Sequence, residues 1–255
     1  MKVFTISDIH VDFAENLCWL NNLSYNDYLN DILILAGDVT DALPLFERTL
    51  RNLRKRFLEV LFIPGNHDLW VRSSNIKNSL EKLQLIQTIA ADCGIRMEPL
   101  HPSCSLSIIP LFGWYDYSFG HPSRKLLASW VDYKACKWPE NYDEKSITQH
   151  FISMNGPFVN KSNTNRFIIS FSHFLPRIDV MPSYIPPDKR FLYPVLGTTL
   201  LEKQIYKLGS DIHIYGHSHV NNQVVKDNTL YINNAFGYPY ETRITAKELK
   251  CIFEM

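Results

Sequence analysis

The chain has 255 residues, with 26 Lys plus Arg against 26 Asp plus Glu, so its formal net charge is zero and its sequence pI is about 7.1. That balance argues against broad electrostatic binding to nucleic acid or to an acidic membrane, since either normally shows as a basic excess. With 45% apolar and 20% charged residues the chain can bury one sizeable core, which excludes global disorder.

A β-branched and aromatic run, Val3 to Ile6, predicts the first strand, and Ile32 to Leu35 predicts the second. Between them Leu17, Leu20, Leu23 and Tyr28 share one helical face. Phe46, Leu50, Leu53 and Phe57 repeat the pattern and lead into a strand at Val60 to Ile63. The next helix carries Ile76, Leu80, Leu83, Gln87 and Ala90 and stops at Gly94. Strands follow at Arg96 to Pro99 and Leu106 to Leu111, the latter irregular or at an edge because of Pro110.

An aromatic-rich insertion then occupies about 113–165, with ten aromatic residues between 114 and 158 and a helix from about Lys145 to Asn155. A strand at Phe167 to Phe171 follows, and the prolines of 176–196 predict a rigid irregular loop. A helix with Leu201, Ile205 and Leu208 ends at Gly209, before a strand at Ile212 to Tyr215. The rest reads as strand: Gln223 to Lys226 and Thr229 to Ile232, turned through Asp227-Asn228, and Leu249 to Phe253. The expected architecture is a single α/β domain spanning 1–255.

Five widely spaced cysteines without a CxxC pair form neither a disulfide framework nor a thiolate zinc site. An acidic residue at position 8 precedes any secretory apolar core, and no apolar stretch approaches the roughly 18 residues of a membrane span. These features predict a soluble protein of a reducing compartment, most simply the cytoplasm, with neither membrane nor extended nucleic acid as a partner.

Five of the nine histidines stand at predicted strand ends, beside Asp, Asn, Gly or Ser. The segments are Ser7-Asp8-Ile9-His10, Gly37-Asp38-Val39, Gly65-Asn66-His67-Asp68, Ser172-His173-Phe174 and Gly216-His217-Ser218-His219. In open α/β sheets, loops beyond the strand C-termini converge on one ligand site. In extended backbone i and i+2 share a side, so Asp8 and His10 can reach one ion, whereas adjacent Asn66 and His67 point differently. Imidazole, carboxylate and amide oxygen together suit manganese, iron or zinc. Turn and cap duty is the alternative for any one segment, but not for five in order.

With these motifs the chain resembles a calcineurin-type metallophosphoesterase, whose series is DxH, GD, GNHD or GNHE, H and GHxH, matched here from residue 8 to 219. The resemblance implies a four-layer α/β/β/α sandwich of two mixed β-sheets flanked by helices. It implies two divalent or mixed-valence ions, with manganese, iron or zinc favoured. Asp8, His10, Asp38 and His219 would hold the first, and Asp38, Asn66, His173 and His217 the second. His67 would act uncoordinated at the phosphoryl or leaving oxygen, with Asp68 as its hydrogen-bond partner. Two-metal hydrolysis of a phosphate ester is the implied activity.

Arg177 and Arg72 are candidate phosphate contacts, and Trp114 and Tyr115 candidate pocket walls. The motifs leave diester and monoester hydrolysis open. In compact size and full motif set the chain resembles the compact bacterial phosphodiesterases of the superfamily, including cyclic-nucleotide ones, and that resemblance implies a phosphodiesterase on a small substrate such as a nucleotide. The alternatives are a phosphomonoesterase acting on a metabolite or protein, and a non-enzymatic scaffold of the retromer-subunit kind. The presence of His67 speaks against the scaffold. GNHD, with no Asp-Arg-Gly after Gly37-Asp38, speaks against a protein serine/threonine phosphatase.

Overall fold

A computed structural model of the chain describes residues 1–72, 75–160 and 167–255. Among these the strands are β1 (Lys2–Ile6), β2 (Ile32–Leu35), β3 (Glu59–Phe62), β4 (Leu100–Ser103), β5 (Leu106–Pro110), β6 (Phe167–Phe171), β7 (Ile212–Tyr215), β8 (Asn222–Lys226), β9 (Thr229–Asn233) and β10 (Lys250–Glu254). They form two mixed sheets, ordered β10-β1-β2-β3 and β4-β5-β6-β7-β9-β8. The central strands β1-β2-β3 and β5-β6-β7-β9 run parallel, while β10, β4 and β8 pair antiparallel at the edges. Their Ile- and Leu-rich runs explain the choice: β2 is buried throughout, as a strand covered on both faces requires.

The flanking helices are α1 (Ala14–Asn21), α2 (Leu43–Arg54), α3 (Ser79–Asp92), α4 (Arg124–Ser129), α5 (Asp132–Ala135), α6 (Glu144–Met154), α7 (Gly156–Val159) and α8 (Thr199–Leu208). Local chemistry sets their ends. Asn78 Oδ1 accepts from the N–H groups of Leu80 and Glu81 at 3.0 and 2.9 Å to start α3, and Gly209 closes α8 in the left-handed region. The apolar faces of both sheets and of the helices merge into one core that includes Ile34, Phe62, Phe46, Ile108, Ile169, Ile214 and Leu201. No helix among the described residues is long and apolar enough to cross a membrane.

Several expectations are corrected. Leu23, Tyr28 and Phe57 lie beyond their helices, and Ile76 precedes the Asn78 cap. Arg96 to Pro99 is not a strand. It contributes one isolated bridge, Leu61 to Arg96, and the strand begins only at Leu100, as β4. Pro110 is not on an edge strand: it ends β5, between β4 and β6, beyond the last β4 partner at Ile108. Residues 176–196 wind into two 3₁₀ turns, Ile178–Val180 and Pro187–Val195. The aromatic segment folds into α4 to α7, although 161–166 lie outside the described residues. The C-terminal stretch is not all strand, since 234–249 form a loop tied to the end of β1 by Ser7 N–H to Asn234 O at 3.1 Å and Phe236 N–H to Ser7 O at 2.8 Å.

His213 in β7 is fully buried between the hydroxyls of Ser170 and Ser172, 2.8 and 3.0 Å from its two ring nitrogens. Burial holds it down at about 3, against 6.5 in the open chain. The unfolded chain therefore gains a proton below pH 6.5 that the folded chain refuses, and stability falls as pH drops from 6.5 toward 3. At pH 5 this amounts to about 2 kcal/mol. Urea unfolding of His213→Gln is expected to lose about 2 kcal/mol less than the native chain between pH 7 and pH 5; equal losses would contradict the assignment.

Candidate metal centre

Every chemistry-bearing segment lies just past the C-terminal end of a parallel strand, and the two sheets bring these ends together. Asp8 and His10 follow β1, Asp38 follows β2, Asn66 and His67 follow β3, His173 follows β6, and His217 and His219 follow β7. Ligand atoms of Asp8, His10, Asp38 and His219 lie within 4.8 Å of one another, as do those of Asp38, His173 and His217. Asp38 belongs to both groups. The nearest donors almost touch: His10 Nε2 is 3.1 Å from His219 Nε2, and His173 Nε2 is 3.2 Å from both His217 Nδ1 and Asn66 Oδ1.

Reaching this convergence costs the backbone. Asp8, His10, Asp38, His217 and His219 all have positive φ, between 37° and 66°, a region that costs a non-glycine residue about 1–2 kcal/mol. The glycines here answer to crowding. At Gly65 an added Cβ would collide with the Asp38 carboxylate and lie 2.7 Å from the His173 ring.

Outward hydrogen bonds fix which ring nitrogen faces inward. His173 Nδ1 meets Ala36 O at 2.9 Å, His217 Nε2 meets Val195 O at 3.0 Å, and His219 Nδ1 meets Glu241 Oε2 at 2.6 Å. Such outer partners orient ligating imidazoles and strengthen their basicity. Burial, with neighbouring histidines, holds His10, His67 and His173 below their ordinary value, and His217 at about 3, so these rings offer free lone pairs. His219 runs the other way: burial opposes its charge, but Asp8 and Glu241 on either side push it up to about 9. Burial, then Asp8 and Asp68, pushes Asp38 well up, so a bound cation would relieve the cost of its charge. Burial also raises Asp8, but His219, His173 and His10 outweigh it and hold that carboxyl low. The donor set of imidazoles, carboxylates and one amide oxygen fits a pair of divalent ions.

His67 stands at the edge of the cluster, its Nε2 3.9 Å from Asp38 Oδ2 and 3.5 Å from the Tyr238 hydroxyl, with its ring stacked on Trp70 at 3.6 Å. Asp68 is not its partner. The Asp68 carboxylate is fully buried and accepts from the N–H groups of Asp38, Val39, Thr40 and Gly65 at 2.9 to 3.1 Å. It fastens the backbone that carries Asp38 to the backbone that carries Asn66.

The outlying candidates fare differently. Arg177 is turned away and held by Asp179, Asp227 and Glu202 at 2.6, 2.5 and 3.1 Å. Trp114 and Tyr115 are core residues, each 1% exposed, packed with Phe174. Arg72 lies half-exposed over the Trp70 ring at 4.2 Å, paired with Asp41.

Four residues with no motif signature belong to the site. Glu241 anchors His219. Tyr238 packs against His10 and His219 at 4.6 and 4.8 Å. Asn16 Nδ2 donates to Ile9 O and Gly237 O at 2.9 and 3.0 Å, clamping the His10 and Tyr238 segments together. Asp132, from the aromatic insertion, accepts from Asn66. The only local signal was composition, a cluster of aromatics around Asp132.

Comparison with known proteins gives the family and the fold. A family model described as calcineurin-like phosphoesterase matches residues 1–221. Acyl-carrier-protein phosphodiesterase PptH of Mycobacterium tuberculosis is 24% identical over 266 residues, covering 94% of this chain and 79% of that protein. The crystal structure of phosphopantetheinyl hydrolase PptH from Mycobacterium tuberculosis superposes with a TM-score of 0.80 at 21% identity, over 98% of this chain and 95% of that one. TT1561 of Thermus thermophilus follows at 0.54 and 12% identity, over 91% and 88%. At these identities the structural matches show a shared fold.

Asp68→Ala separates the two roles considered for that residue. Four buried N–H donors would lose their acceptor, so unfolding should show a loss of about 3 kcal/mol or more together with weaker metal retention. Unchanged stability with lowered turnover would restore the pairing with His67.

Proposed function

The chain belongs to the calcineurin-like phosphoesterase family, and on that footing we propose that it is a phosphodiesterase acting on the phosphopantetheinyl diester of an acyl carrier protein. As a member of that family it is a metal-dependent phosphoester hydrolase with a possible dinuclear site. The diester preference and the carrier-protein substrate rest on one observation, the likeness of nearly the whole chain to PptH.

In this reading Asp8, His10, Asp38 and His219 hold one ion, and Asp38, Asn66, His173 and His217 the other, with manganese, iron or zinc favoured by the mixed nitrogen and oxygen donors. Bound there, two divalent ions would neutralise the phosphoryl oxygens and acidify a water nucleophile. The protein supplies the rest. His67, kept neutral by burial and oriented by its stack on Trp70, presents Nε2 beside the Tyr238 hydroxyl. From there its N–H can donate a hydrogen bond to the charge developing on the departing oxygen, and Tyr238 can hold the same oxygen. The five free cysteines support a reducing compartment, most simply the cytoplasm.

The test is an activity panel on metal-reconstituted protein with bis-p-nitrophenyl phosphate, p-nitrophenyl phosphate, a cyclic nucleotide and phosphopantetheinylated acyl carrier protein. Faster diester cleavage with release of phosphopantetheine from the carrier is expected. Faster monoester cleavage would point to a phosphatase, and cleavage of the cyclic nucleotide alone to a nucleotide diesterase. His67→Ala should keep both metals by elemental analysis while kcat falls by about 10²–10⁴; loss of metal would make the residue a ligand instead.

A further inference from the structure

The aromatic insertion delivers one buried carboxylate to the rear of the candidate metal centre. Asp132, at the start of α5, is 2% exposed. Its Oδ1 accepts from Asn66 Nδ2 at 2.9 Å and from Trp70 Nε1 at 2.7 Å, and its Oδ2 accepts from Trp130 Nε1 at 2.9 Å. Each of these partners offers a hydrogen, which suits an ionised carboxylate, an acceptor only.

That one-sidedness has a consequence for Asn66. A carboxamide can turn either its oxygen or its nitrogen toward a neighbour, and shape alone hardly distinguishes the two. A carboxylate accepts only from the nitrogen, so Nδ2 must face Asp132, and Oδ1 faces His173 Nε2 at 3.2 Å, beside His217. The same carboxylate holds Trp70, on which His67 stacks, and Trp130, whose ring meets His217 edge-on at 5.9 Å. Nothing in the GNHD motif specifies this, since Asp132 lies 66 residues beyond Asn66.

We infer that Asp132 is a positioning residue that locks the Asn66 carboxamide with its oxygen toward His173 and His217 and so assembles the second metal site. This rests on the reading of Asn66 as a ligand of that ion, and the experiment separates the two. Calorimetric titration with manganese, elemental analysis and thermal unfolding would be run on the full native chain, Asp132→Ala, Asp132→Asn and Asn66→Ala.

Asp132→Ala should keep one tight ion and weaken the other about 10–100-fold, as removal of outer-shell partners typically does. Asp132→Asn should bind both ions much as the native chain does, because its amide oxygen can still accept from Asn66 and Trp70, with only the Trp130 bond lost. Equal loss of both ions from folded Asp132→Ala, native-like binding of both, or an Asn variant as weak as the Ala variant would overturn the proposal. Native-like binding by Asn66→Ala would instead overturn the ligand reading beneath it. Should truncation prevent folding, the native chain carries the test: the Asn66 side-chain amide protons, seen by NMR, should exchange with solvent far more slowly than those of an exposed asparagine, and rapid exchange would refute the lock.

Discussion

The arrangement depends on the buried Asp38 carboxylate lying between two groups of donors. Its backbone is left-handed at φ 55°, its side chain is almost wholly buried, and its Oδ1 accepts from the His67 N–H at 2.9 Å. Burial and the neighbouring Asp8 and Asp68 oppose its charge. A carboxylate placed so unfavourably persists because the surrounding fold over-determines it. Asp68 ties down three consecutive N–H groups from Asp38 to Thr40, and parallel pairing of β2 with β1 and β3 fixes the strand that delivers it.

Around that point the structure divides work between the sheets. The first sheet brings Asp8, His10, Asp38, Asn66 and His67, while the second brings His173, His217 and His219, and the bridge between Ser7 and Ala235 stitches the two together at this edge. Each candidate group draws on both sheets, so neither is complete until the sheets have packed. Metal binding and folding should therefore be thermodynamically linked.

The residues at the strand ends were legible because their chemistry is local: a short motif after an apolar run places each side chain at the same sheet edge. Most strands and helices are legible for a similar reason, since apolar spacing and caps act over a few residues; β4, at Leu100–Ser103 rather than Arg96 to Pro99, is an exception. What escaped was set at long range. Asp132, at the start of α5, and Glu241, in a loop, reach Asn66 and His219 from 66 and 22 residues away, through single hydrogen bonds that leave no periodic trace. Arg177 stands four residues past His173, yet carboxylates from three other positions capture it. Trp114 and Tyr115 follow β5 closely, but adjacency to a strand end does not reveal whether a ring faces solvent or core. Asp68 serves the backbone rather than His67 because four N–H donors, invisible in sequence, outcompete one imidazole.

In the proposed reading one shared carboxylate, Asp38, would join two metal sites. Anomalous diffraction from crystals of manganese-reconstituted protein tests it directly. Two peaks are predicted, one among Asp8, His10 and His219 and one among Asn66, His173 and His217, with Asp38 contacting both. A single peak, or a pair in which Asp38 touches only one ion, would contradict it.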